Sequence, residues 1–519
     1  MAMPPEVIAL DDDEPPGPPV QNVLRLIPGR EQLEQERAAR MAKRKREGET
    51  RNPAETAASG AARAPSPKAA RTADARATDL RSPPSASAAP TRDTDARYVP
   101  VHAADRFWHG AVKVLLPSRP SEKAGLERVL LASYDVEIDW LETLFPDVPV
   151  TYIGNPPPGD FSRDPRIPKP GLYRSDTCPN WEMGVPRKPH PRALQHVKLL
   201  LLFHATFVRV VISTGNLTQT DWSRYENMFY VQDFPQRPAS VAPPPHAAGD
   251  AFLRELEHVL FSLSLPPTHA VMLFLRRYSY ADAAAHLVAS RPLAPVAKGW
   301  AEVQRWGLGR LACVVQQLGV RPREPLPALE AQGSSLASYD RRWLEQFYLV
   351  ALGVDPAHLP LPAGRTPSVS RAFARLANVP PTSAWPPVRV LFPTQKWVEE
   401  ESVEGKRGAG CFFGKPQEFY RRELRPVFYQ PVSQRGAILM HAKCLLMEHS
   451  WVYMGSANFT RAAWGTLGGA PDAPTLSLSN WELGVVLPWG TRMAADAVPY
   501  ERPARAYAAD DAPWDIQTM

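Results

Sequence analysis

The chain has 519 residues, more than one ordinary hydrophobic core organises, so its length predicts one large domain or two medium-sized ones. Hydrophobic residues make up 44% and charged residues 22%, as in a globular protein, and no apolar run approaches the ~18 residues of a membrane span. The net charge of +6 suits an anionic partner, but it is equally compatible with a basic protein that binds no nucleic acid.

The cysteines and the N-terminus narrow the protein class further. Cys178, Cys313, Cys411 and Cys444 form no Cys-x-x-Cys pair and no cluster with histidine, which argues against a disulfide framework and a zinc site. The N-terminus is acidic and rich in proline, unlike a signal peptide. We therefore expect an intracellular protein with reduced cysteines.

Residues 1–100 are predicted to form a disordered N-terminal regulatory tail, because they carry few aromatic side chains and much Ala, Pro, Arg, Ser and Asp. Val7, Ile8 and Leu10, followed by the acidic residues 11–14, resemble a SUMO-interacting motif that would add to a sheet edge. A chance apolar patch in an acidic tail is the alternative.

The tail also carries a compact basic run, Lys-Arg-Lys-Arg at residues 43–46. Such a run is typical of a nuclear localisation signal, and it predicts a nuclear protein. The alternative is the solvated basic end of a helix.

Beyond the tail, apolar patterns predict strands that alternate with helices. In chain order they are a strand at 129–134, a helix from Ile138 to before Pro146, strands at 148–153, 197–203 and 207–212, helical periodicity over 250–290, a helix at 340–352, and strands at 388–392, 437–447 and 452–454. This alternation indicates an α/β architecture in which helices cover the sheets.

The pattern occurs twice along the chain. Each copy has a strand with His-x-Lys, a turn, a second apolar strand, and a Ser/Thr-x-Asn step into a helix. The copies are His196, Lys198 and Asn216, followed by Asp221-Trp222, and His441, Lys443 and Asn458, followed by Ala463-Trp464. This duplication predicts two similar domains, residues 101–295 and 296–519, each with one His-Lys-Asn motif.

Residues i and i+2 of a strand point to the same face, so His and Lys of each motif should project together, with the Asn brought beside them by the hairpin. Two such sets facing each other would fit a phosphodiester. The lysines would neutralise its oxygens, the amides would donate hydrogen bonds, one imidazole would attack phosphorus, and the other would protonate the leaving oxygen. This chemistry requires no metal.

A single His-x-Lys in an apolar strand is common and means little. Two copies, each followed by the Asn step, are far more specific. The two lysines add weight, because burying ammonium groups within strands is costly without an anionic partner.

At these residues the chain resembles the tyrosyl-DNA phosphodiesterases, a diverged branch of the phospholipase D superfamily. The superfamily's usual His-x-Lys-x4-Asp pattern is broken here, since Phe203 and Glu448 stand at the Asp positions, and this branch uses the later Asn instead. The resemblance extends over residues 107 to 519. It is carried by the segments 131–141, 210–222, 456–465, 480–485, 498–500 and 512–514.

The resemblance implies two phospholipase D-like α-β-α sandwich halves packed with pseudo-two-fold symmetry. It also implies that His196 is the nucleophile and His441 the general acid and then the general base, while the two lysines and two asparagines hold the phosphate. Glu482 would orient His196, and Asn227 would support the other side of the site. Surface polar residues are the alternative for these two supporting positions.

In this family, positions matching Ser335, Ser338, Thr460 and the backbone at Ala462 contact DNA phosphates, the last two at a helix start. One departure stands out. The family often has an aromatic residue and a glycine shortly before the first motif, where this chain has Arg192-Ala193-Leu194-Gln195. Arg192 would either stack on a base in place of the aromatic ring or contact a phosphate.

The function implied by the resemblance is DNA repair: hydrolysis of the bond between a DNA 3′-phosphate and a tyrosine of trapped type IB topoisomerase, or another 3′ adduct, by a metal-independent monomer without membrane contact. Two alternatives stay open. One is a different phospholipase D-superfamily enzyme, a general nuclease or a lipid phosphodiesterase. The other is an inactive protein that binds DNA ends, although a binder could dispense with either histidine.

Overall fold

The structure is a computed structural model, and it describes residues 97–101, 125–145, 147–155, 169–175, 178–238, 250–283, 285–294, 296–319, 326–355, 358, 370–419, 422–470, 472–489 and 498–518. The predicted SUMO-interacting residues Val7, Ile8 and Leu10 and the basic run at 43–46 lie outside the described residues. So does nearly all of the predicted tail.

The strands of the described part are β1 (Arg97–Val101), β2 (Leu126–Ala132), β3 (Val150–Ile153), β4 (Gly171–Arg174), β5 (Trp181–Val185), β6 (Leu194–Gln195), β7 (Leu199–His204), β8 (Phe207–Ser213), β9 (Asn227–Pro235), β10 (His286–Ser290), β11 (Ala297–Lys298), β12 (Leu329–Gln332), β13 (Val388–Leu391), β14 (Phe428–Gln430), β15 (Cys444–Met447), β16 (Trp451–Gly455), β17 (Thr466–Ala470), β18 (Ala473–Ser477), β19 (Asn480–Pro488) and β20 (Arg505–Ala506).

The α-helices of the described part are Ile138–Leu144, Gln219–Ser223, Ala251–Ser262, Ala270–Leu275, Trp300–Val303, Gly307–Leu318, Arg341–Ala351, Arg371–Leu376, Gln395–Glu400, Gly405–Gly408, Pro416–Phe419 and Arg461–Trp464. Short 3-10 helices lie at Ala409–Cys411, Arg422–Val427 and Ile516–Thr518. None of the helices in this part of the chain has the length and apolar character that crossing a bilayer requires.

Two large sheets repeat one connection order, as the sequence duplication predicts. The first runs β1-β9-β8-β7-β2-β3-β5-β4, and the second runs β10-β19-β16-β15-β12-β13-β14-β20. In both, two parallel pairings (β2 with β3 and β3 with β5, or β12 with β13 and β13 with β14) adjoin an antiparallel hairpin (β7 and β8, or β15 and β16). The fold is therefore the predicted mixed α/β arrangement of two similar halves.

The two halves pack on each other through corresponding strands. β8 and β9 of the first sheet contact β16 and β19 of the second, and one hydrophobic cluster runs through both halves. The division proposed at residues 295 and 296 is not a boundary between the sheets, since β10 precedes it and pairs with β19.

Most predicted strands and helices are present, and two regions differ. Over 250–290, helices at Ala251–Ser262 and Ala270–Leu275 are followed by β10, because that last stretch pairs along β19. The strand predicted at 437–447 is wrong for its first part: only Cys444–Met447 is strand. The residues ahead of it give backbone hydrogen bonds to the other half instead, from Ala442 N–H to the Glu226 carbonyl, for example.

The predicted Asn-to-helix steps are built alike in both halves. Thr218 caps the first helix by accepting a hydrogen bond from the Asp221 N–H at 3.1 Å, and Thr460 caps the second by accepting one from the Ala463 N–H at 3.3 Å. Such N-caps satisfy backbone donors that a helix leaves unpaired. Each helix then buries a tryptophan, Trp222 or Trp464.

The indole N–H groups of these two tryptophans differ in hydrogen bonding, so substituting each tryptophan gives a matched pair of variants. The Trp222 indole N–H donates to the Asn216 carbonyl at 2.9 Å, whereas that of Trp464 finds no acceptor among the described residues. We expect Trp222→Phe to lower the free energy of unfolding by about 1–2 kcal/mol more than Trp464→Phe, because only the first change deletes a buried hydrogen bond. Urea unfolding of both variants measures the difference, and equal losses would contradict it.

Candidate active site

Both His-x-Lys motifs lie in extended segments just ahead of their strands, β7 and β15, rather than within them. Each segment crosses to the other half. Gln195 pairs in parallel with Trp481 of β19, and Met440 forms the corresponding parallel bridge to Glu226 beside β9. The crossing places the first motif against β19 and the second motif beside β9. Each motif therefore lies against the opposite half, and neither half contains a complete site.

The first histidine is held by a carboxylate of the second half. His196 Nδ1 lies 2.9 Å from Glu482 Oε2, as the resemblance implied, and Glu482 is held in turn by Ser456 Oγ at 2.5 Å and Asn480 Nδ2 at 2.9 Å. Burial lowers the pKa of His196, and the carboxylate offsets only part of that effect. A neutral ring with its proton on Nδ1 leaves a lone pair on Nε2, which is the form that can attack phosphorus.

The second histidine is held by a carboxylate of the first half, Asp221, which the sequence reasoning did not assign to the site. His441 Nδ1 lies 2.6 Å from Asp221 Oδ1. Burial and Lys443 lower the pKa of His441 to about 4. Burial raises the pKa of Asp221, but contact with His441 outweighs it and leaves that pKa at about 2. The pair is therefore a carboxylate and a neutral imidazole.

A signal for Asp221 was present in the sequence. The two copies agree at the capping threonine and the tryptophan, but Asp221 stands where the other copy has Ala463. A break in an otherwise close repeat marks a position at which the two halves do different work. Here the difference supplies a carboxylate for His441, a role that Glu482 fills for His196 from another strand.

Both lysines are fully buried, in keeping with the cost argument made from the sequence. Lys198 Nζ donates to the His196 carbonyl at 2.8 Å, and Lys443 Nζ donates to the His441 carbonyl and to the Thr214 carbonyl at 3.2 Å. Burial lowers the pKa of both, to about 8 for Lys443, and the charge of Lys443 lowers that of Lys198 further. Two buried ammonium groups that repel each other favour binding of an anion beside them.

The two asparagines have different hydrogen-bond partners. Asn458 Oδ1 accepts from the backbone N–H groups of Ser334 and Ser335 at 2.9 and 3.1 Å, which leaves its NH2 group as the end that can donate to a ligand. Asn216 Nδ2 donates to Asp221 Oδ2 at 3.2 Å, and its buried oxygen has no partner among the described residues. Asn216 thus adjoins the carboxylate that holds His441.

Asn227 supports the His441 side indirectly. By the strand pairing it is the counterpart of Glu482, yet its Nδ2 donates to the Asp221 carbonyl at 2.8 Å and its Oδ1 accepts from Thr214 Oγ1 at 2.9 Å. A Cβ on Gly215 would lie 2.7 Å from that amide, so a larger residue there would displace an amide that two hydrogen bonds hold.

The residues predicted to contact DNA surround Asn458. Ser335 and Ser338 are half-buried in the loop that follows β12, and the Arg461 guanidinium donates to the Ser338 carbonyl. Thr460 is the N-cap of the short helix Arg461–Trp464, which contains Ala462. The structure therefore brings these residues to one side of the site, the side of the second motif.

An exposed aromatic ring, Tyr134, lies beside His196, at the end of the strand predicted over 129–134. Tyr134 lies just after β2, is 42% exposed, and has its ring centroid 5.5 Å from that of His196 and 5.7 Å from Lys198 Nζ. Arg192, the residue expected to stack on a base or contact a phosphate, is exposed.

The residues at the superfamily's Asp positions lie away from the histidines. Phe203 is fully buried in the core, and Glu448 pairs with Arg502 at 3.0 Å.

The part of the chain that the structure describes contains no group of three or more His, Cys, Asp or Glu side chains that could hold a metal ion. What the structure does assemble is two neutral imidazoles, each with a carboxylate at Nδ1, beside two ammonium groups.

The chain is similar to known proteins of one family. The chain is 25% identical over 373 residues to a tyrosyl-DNA phosphodiesterase 1 of Arabidopsis thaliana, covering 69% of this chain and 56% of that protein. It is 24% identical over 360 residues to one of Drosophila melanogaster, covering 63% and 58%. The matched part is therefore a little over half the length of either relative.

The crystal structure of the yeast tyrosyl-DNA phosphodiesterase has the same fold, with a TM-score of 0.57 at 16% identity over 81% of this chain and 100% of that one. A family model described as tyrosyl-DNA phosphodiesterase matches residues 119–515. Because that match extends over more than half of the sequence, the chain belongs to the tyrosyl-DNA phosphodiesterase family.

Proposed function

We propose that this protein hydrolyses the phosphodiester between a DNA 3′ end and a tyrosine side chain, such as that of trapped type IB topoisomerase, and other 3′ adducts. The observation that carries the proposal is the pair of carboxylate-supported imidazoles, His196 with Glu482 and His441 with Asp221, beside Lys198 and Lys443. The family membership supports the same substrate class.

In the first step His196 Nε2 attacks phosphorus and forms a P–N bond while the bond to the tyrosine oxygen breaks. The imidazolium that results keeps its Nδ1 proton, which Glu482 accepts as a hydrogen bond and stabilises. Lys198, Lys443 and the asparagine amides hold the phosphate oxygens. His441, protonated on Nε2, gives that proton to the departing tyrosine oxygen.

His441 must bind a proton before it can act as this acid. In the free protein burial and the charge of Lys443 lower its pKa to about 4. A phosphodiester anion beside Lys443 would offset that positive charge and raise the pKa. We therefore expect substrate binding itself to favour the acid form of His441.

In the second step water attacks the phosphorus of the phosphohistidine. His441, now neutral, takes a proton from the water as the P–N bond to His196 breaks. The products are a DNA 3′-phosphate and the original neutral His196, so protons balance over the cycle. No step needs a metal, and metal independence is part of the proposal.

The function is tested with an oligonucleotide carrying a 3′-phosphotyrosine, incubated with the protein in EDTA, with phosphatidylcholine vesicles in parallel. Conversion to a 3′-phosphate with the lipid intact supports the proposal. Hydrolysis of the lipid alone would identify a lipid phosphodiesterase, and tight DNA binding without turnover would identify an inactive end-binding protein. Activity that EDTA abolishes would contradict the metal-free mechanism.

Because the acid form of His441 is already scarce above about pH 4, kcat/KM should fall as pH rises, and a second, steeper basic limb should begin with a midpoint near pH 8. Lys443, with a pKa lowered to about 8 by burial, is charged below that pH and neutral above it, so phosphate binding weakens as pH rises. Lys443→Arg should remove the limb, because a guanidinium stays protonated. If the limb survives in Lys443→Arg but vanishes in Lys198→Arg, it belongs to Lys198 instead.

Three further expectations belong to the same proposal. DNA phosphates would contact Ser335, Ser338, Thr460 and the Ala462 backbone, whose placement beside Asn458 suits that role. The protein would act as a monomer in the nucleus, directed there by residues 43–46. SUMO would bind at Val7, Ile8 and Leu10, and changing Ile8 and Leu10 to alanine should abolish that binding in a pull-down.

A further inference from the structure

We propose that Glu226 is a positioning residue for His441: it anchors the segment that carries this histidine to the opposite half of the protein. The inference rests on the proposed function, since it concerns the proton-transfer steps of His441. Glu226 itself contacts no reacting atom.

The first observation is a backbone connection between the halves. The Glu226 N–H donates to the Leu439 carbonyl at 2.9 Å, and the Glu226 carbonyl accepts from the Ala442 N–H at 2.9 Å. These two bonds bracket Met440 and His441. Main-chain placement of the histidine is therefore set by one residue of the other half.

The second observation is the side chain of Glu226, which is 1% exposed and fixes the same segment at its far end. Its Oε2 accepts from Ser433 Oγ at 2.8 Å and from Arg435 Nη2 at 2.5 Å. The Ser433 hydroxyl also accepts from the Arg435 N–H at 3.2 Å, which closes the network. The carboxylate thus holds a loop that leads directly to His441.

The third observation concerns the contacts of Tyr225 and Asn227, the two residues beside Glu226 in the chain. Tyr225 places its ring 5.9 Å from that of His441, and Asn227 donates to the Asp221 carbonyl at 2.8 Å. Three consecutive residues therefore contact the histidine ring, the backbone on either side of Met440 and His441, and the carboxylate partner of His441. By the strand pairing the counterpart of Glu226 is Trp481, which anchors the first motif without a charge.

A buried ion pair is an expensive way to anchor a loop unless the alignment matters. Burial raises the pKa of Glu226, and its Oε1 has no partner among the described residues. An apolar contact would hold the chain together as well. What the ion pair adds is a fixed direction and distance, which proton transfer requires.

The test separates the two chemical steps with a DNA 3′-(4-nitrophenyl phosphate). Its acidic leaving group needs little protonation, so the nitrophenol burst reports attack by His196, and the steady-state rate reports hydrolysis by His441 and water. We expect Glu226→Gln to change the burst rate less than threefold and to lower the steady-state rate about tenfold, with a covalent adduct accumulating.

Glu330 supplies the matched control, because it is also 1% exposed and pairs with arginine and a hydroxyl, Arg502 and Tyr500. Glu330→Gln should lower the melting temperature without changing the ratio of the two rates. Arg435→Gln removes the same ion pair at its more exposed residue. It should therefore give the burst-to-steady-state ratio expected for Glu226→Gln, even if Glu226→Gln itself folds poorly.

The double variant Glu226→Gln with Arg435→Gln should be no slower than either single variant, because both delete one interaction. The inference is wrong, and Glu226 is only structural, if Glu226→Gln and Arg435→Gln lower the burst rate and the steady-state rate equally. The same holds if their ratio of burst rate to steady-state rate equals that of Glu330→Gln. A wild-type protein that releases no nitrophenol would instead contradict the proposed function itself.

Discussion

His441→Ala is expected to trap the protein as a covalent adduct on the DNA 3′ end, with turnover reduced by about 10²–10⁴-fold. Without an imidazole at position 441, water has no base to take its proton, so the phosphohistidine at His196 persists. The first step also loses its acid, but Glu482 still orients His196 and a phenolate can leave unprotonated, so the first step is slowed less than the second. Denaturing gel electrophoresis with a labelled oligonucleotide shows the adduct as a slowly migrating band.

The double variant His196→Ala with His441→Ala is the control for that band. It lacks the proposed attachment point, so it should give no adduct while still binding the oligonucleotide through Lys198 and Lys443. An adduct in the double variant would place the nucleophile elsewhere. Full turnover by His441→Ala would assign the second step to another base.

The sequence predicted which side chains the structure brings together at the candidate site, because those side chains recur in a repeat. His196, Lys198 and Asn216 recur as His441, Lys443 and Asn458, and their types alone indicate a site for a phosphodiester. The flanking apolar runs also predicted the two hairpins, and the Ser/Thr-x-Asn steps predicted the two helix starts that the structure contains.

What the sequence did not predict depends on contacts between the halves. The strand expected over 437–447 is shortened because its first residues bond to Glu226 across the interface, and no local pattern records a partner some 200 positions away. Asp221 was overlooked for the same reason. Its neighbours in the chain form an ordinary helix start, and only the fold brings His441 to it.

The carboxylates that support the two histidines should have opposite effects when each is changed to its amide. In the wild type, Asn216 Nδ2 and Thr218 Oγ1 both donate to Asp221 Oδ2. In Asp221→Asn the oxygen of the new amide should face these two donors, so the NH2 group of that amide turns to His441. That group would donate to Nδ1 and move the ring proton to Nε2. With its proton on Nε2, a neutral His441 presents no lone pair to water and could not act as the base of the second step, whereas a leaving group that departs without a proton, such as 4-nitrophenolate, would still be expelled in the first step.

In Glu482→Gln the nucleophile loses the negative charge beside its Nδ1. Asn480 donates to Oε1, whereas Ser456 and His196 share Oε2, so the glutamine oxygen can keep facing His196. The imidazolium that attack on phosphorus creates would then face a neutral amide in place of a carboxylate, which disfavours the first step. Asp221→Asn should therefore accumulate adduct, whereas Glu482→Gln should form almost none.

Each change is expected to lower turnover by roughly 10²-fold or more, since orienting carboxylates in triads have effects of this size. The two variants are nearly isosteric with the wild type and remove one negative charge each, so they control for each other in charge and volume. Single-turnover cleavage and adduct bands, measured side by side, distinguish the steps. If both variants accumulate adduct, or if neither does, Asp221 and Glu482 do not act on separate histidines, and the division of roles between His196 and His441 would have to be reversed or abandoned.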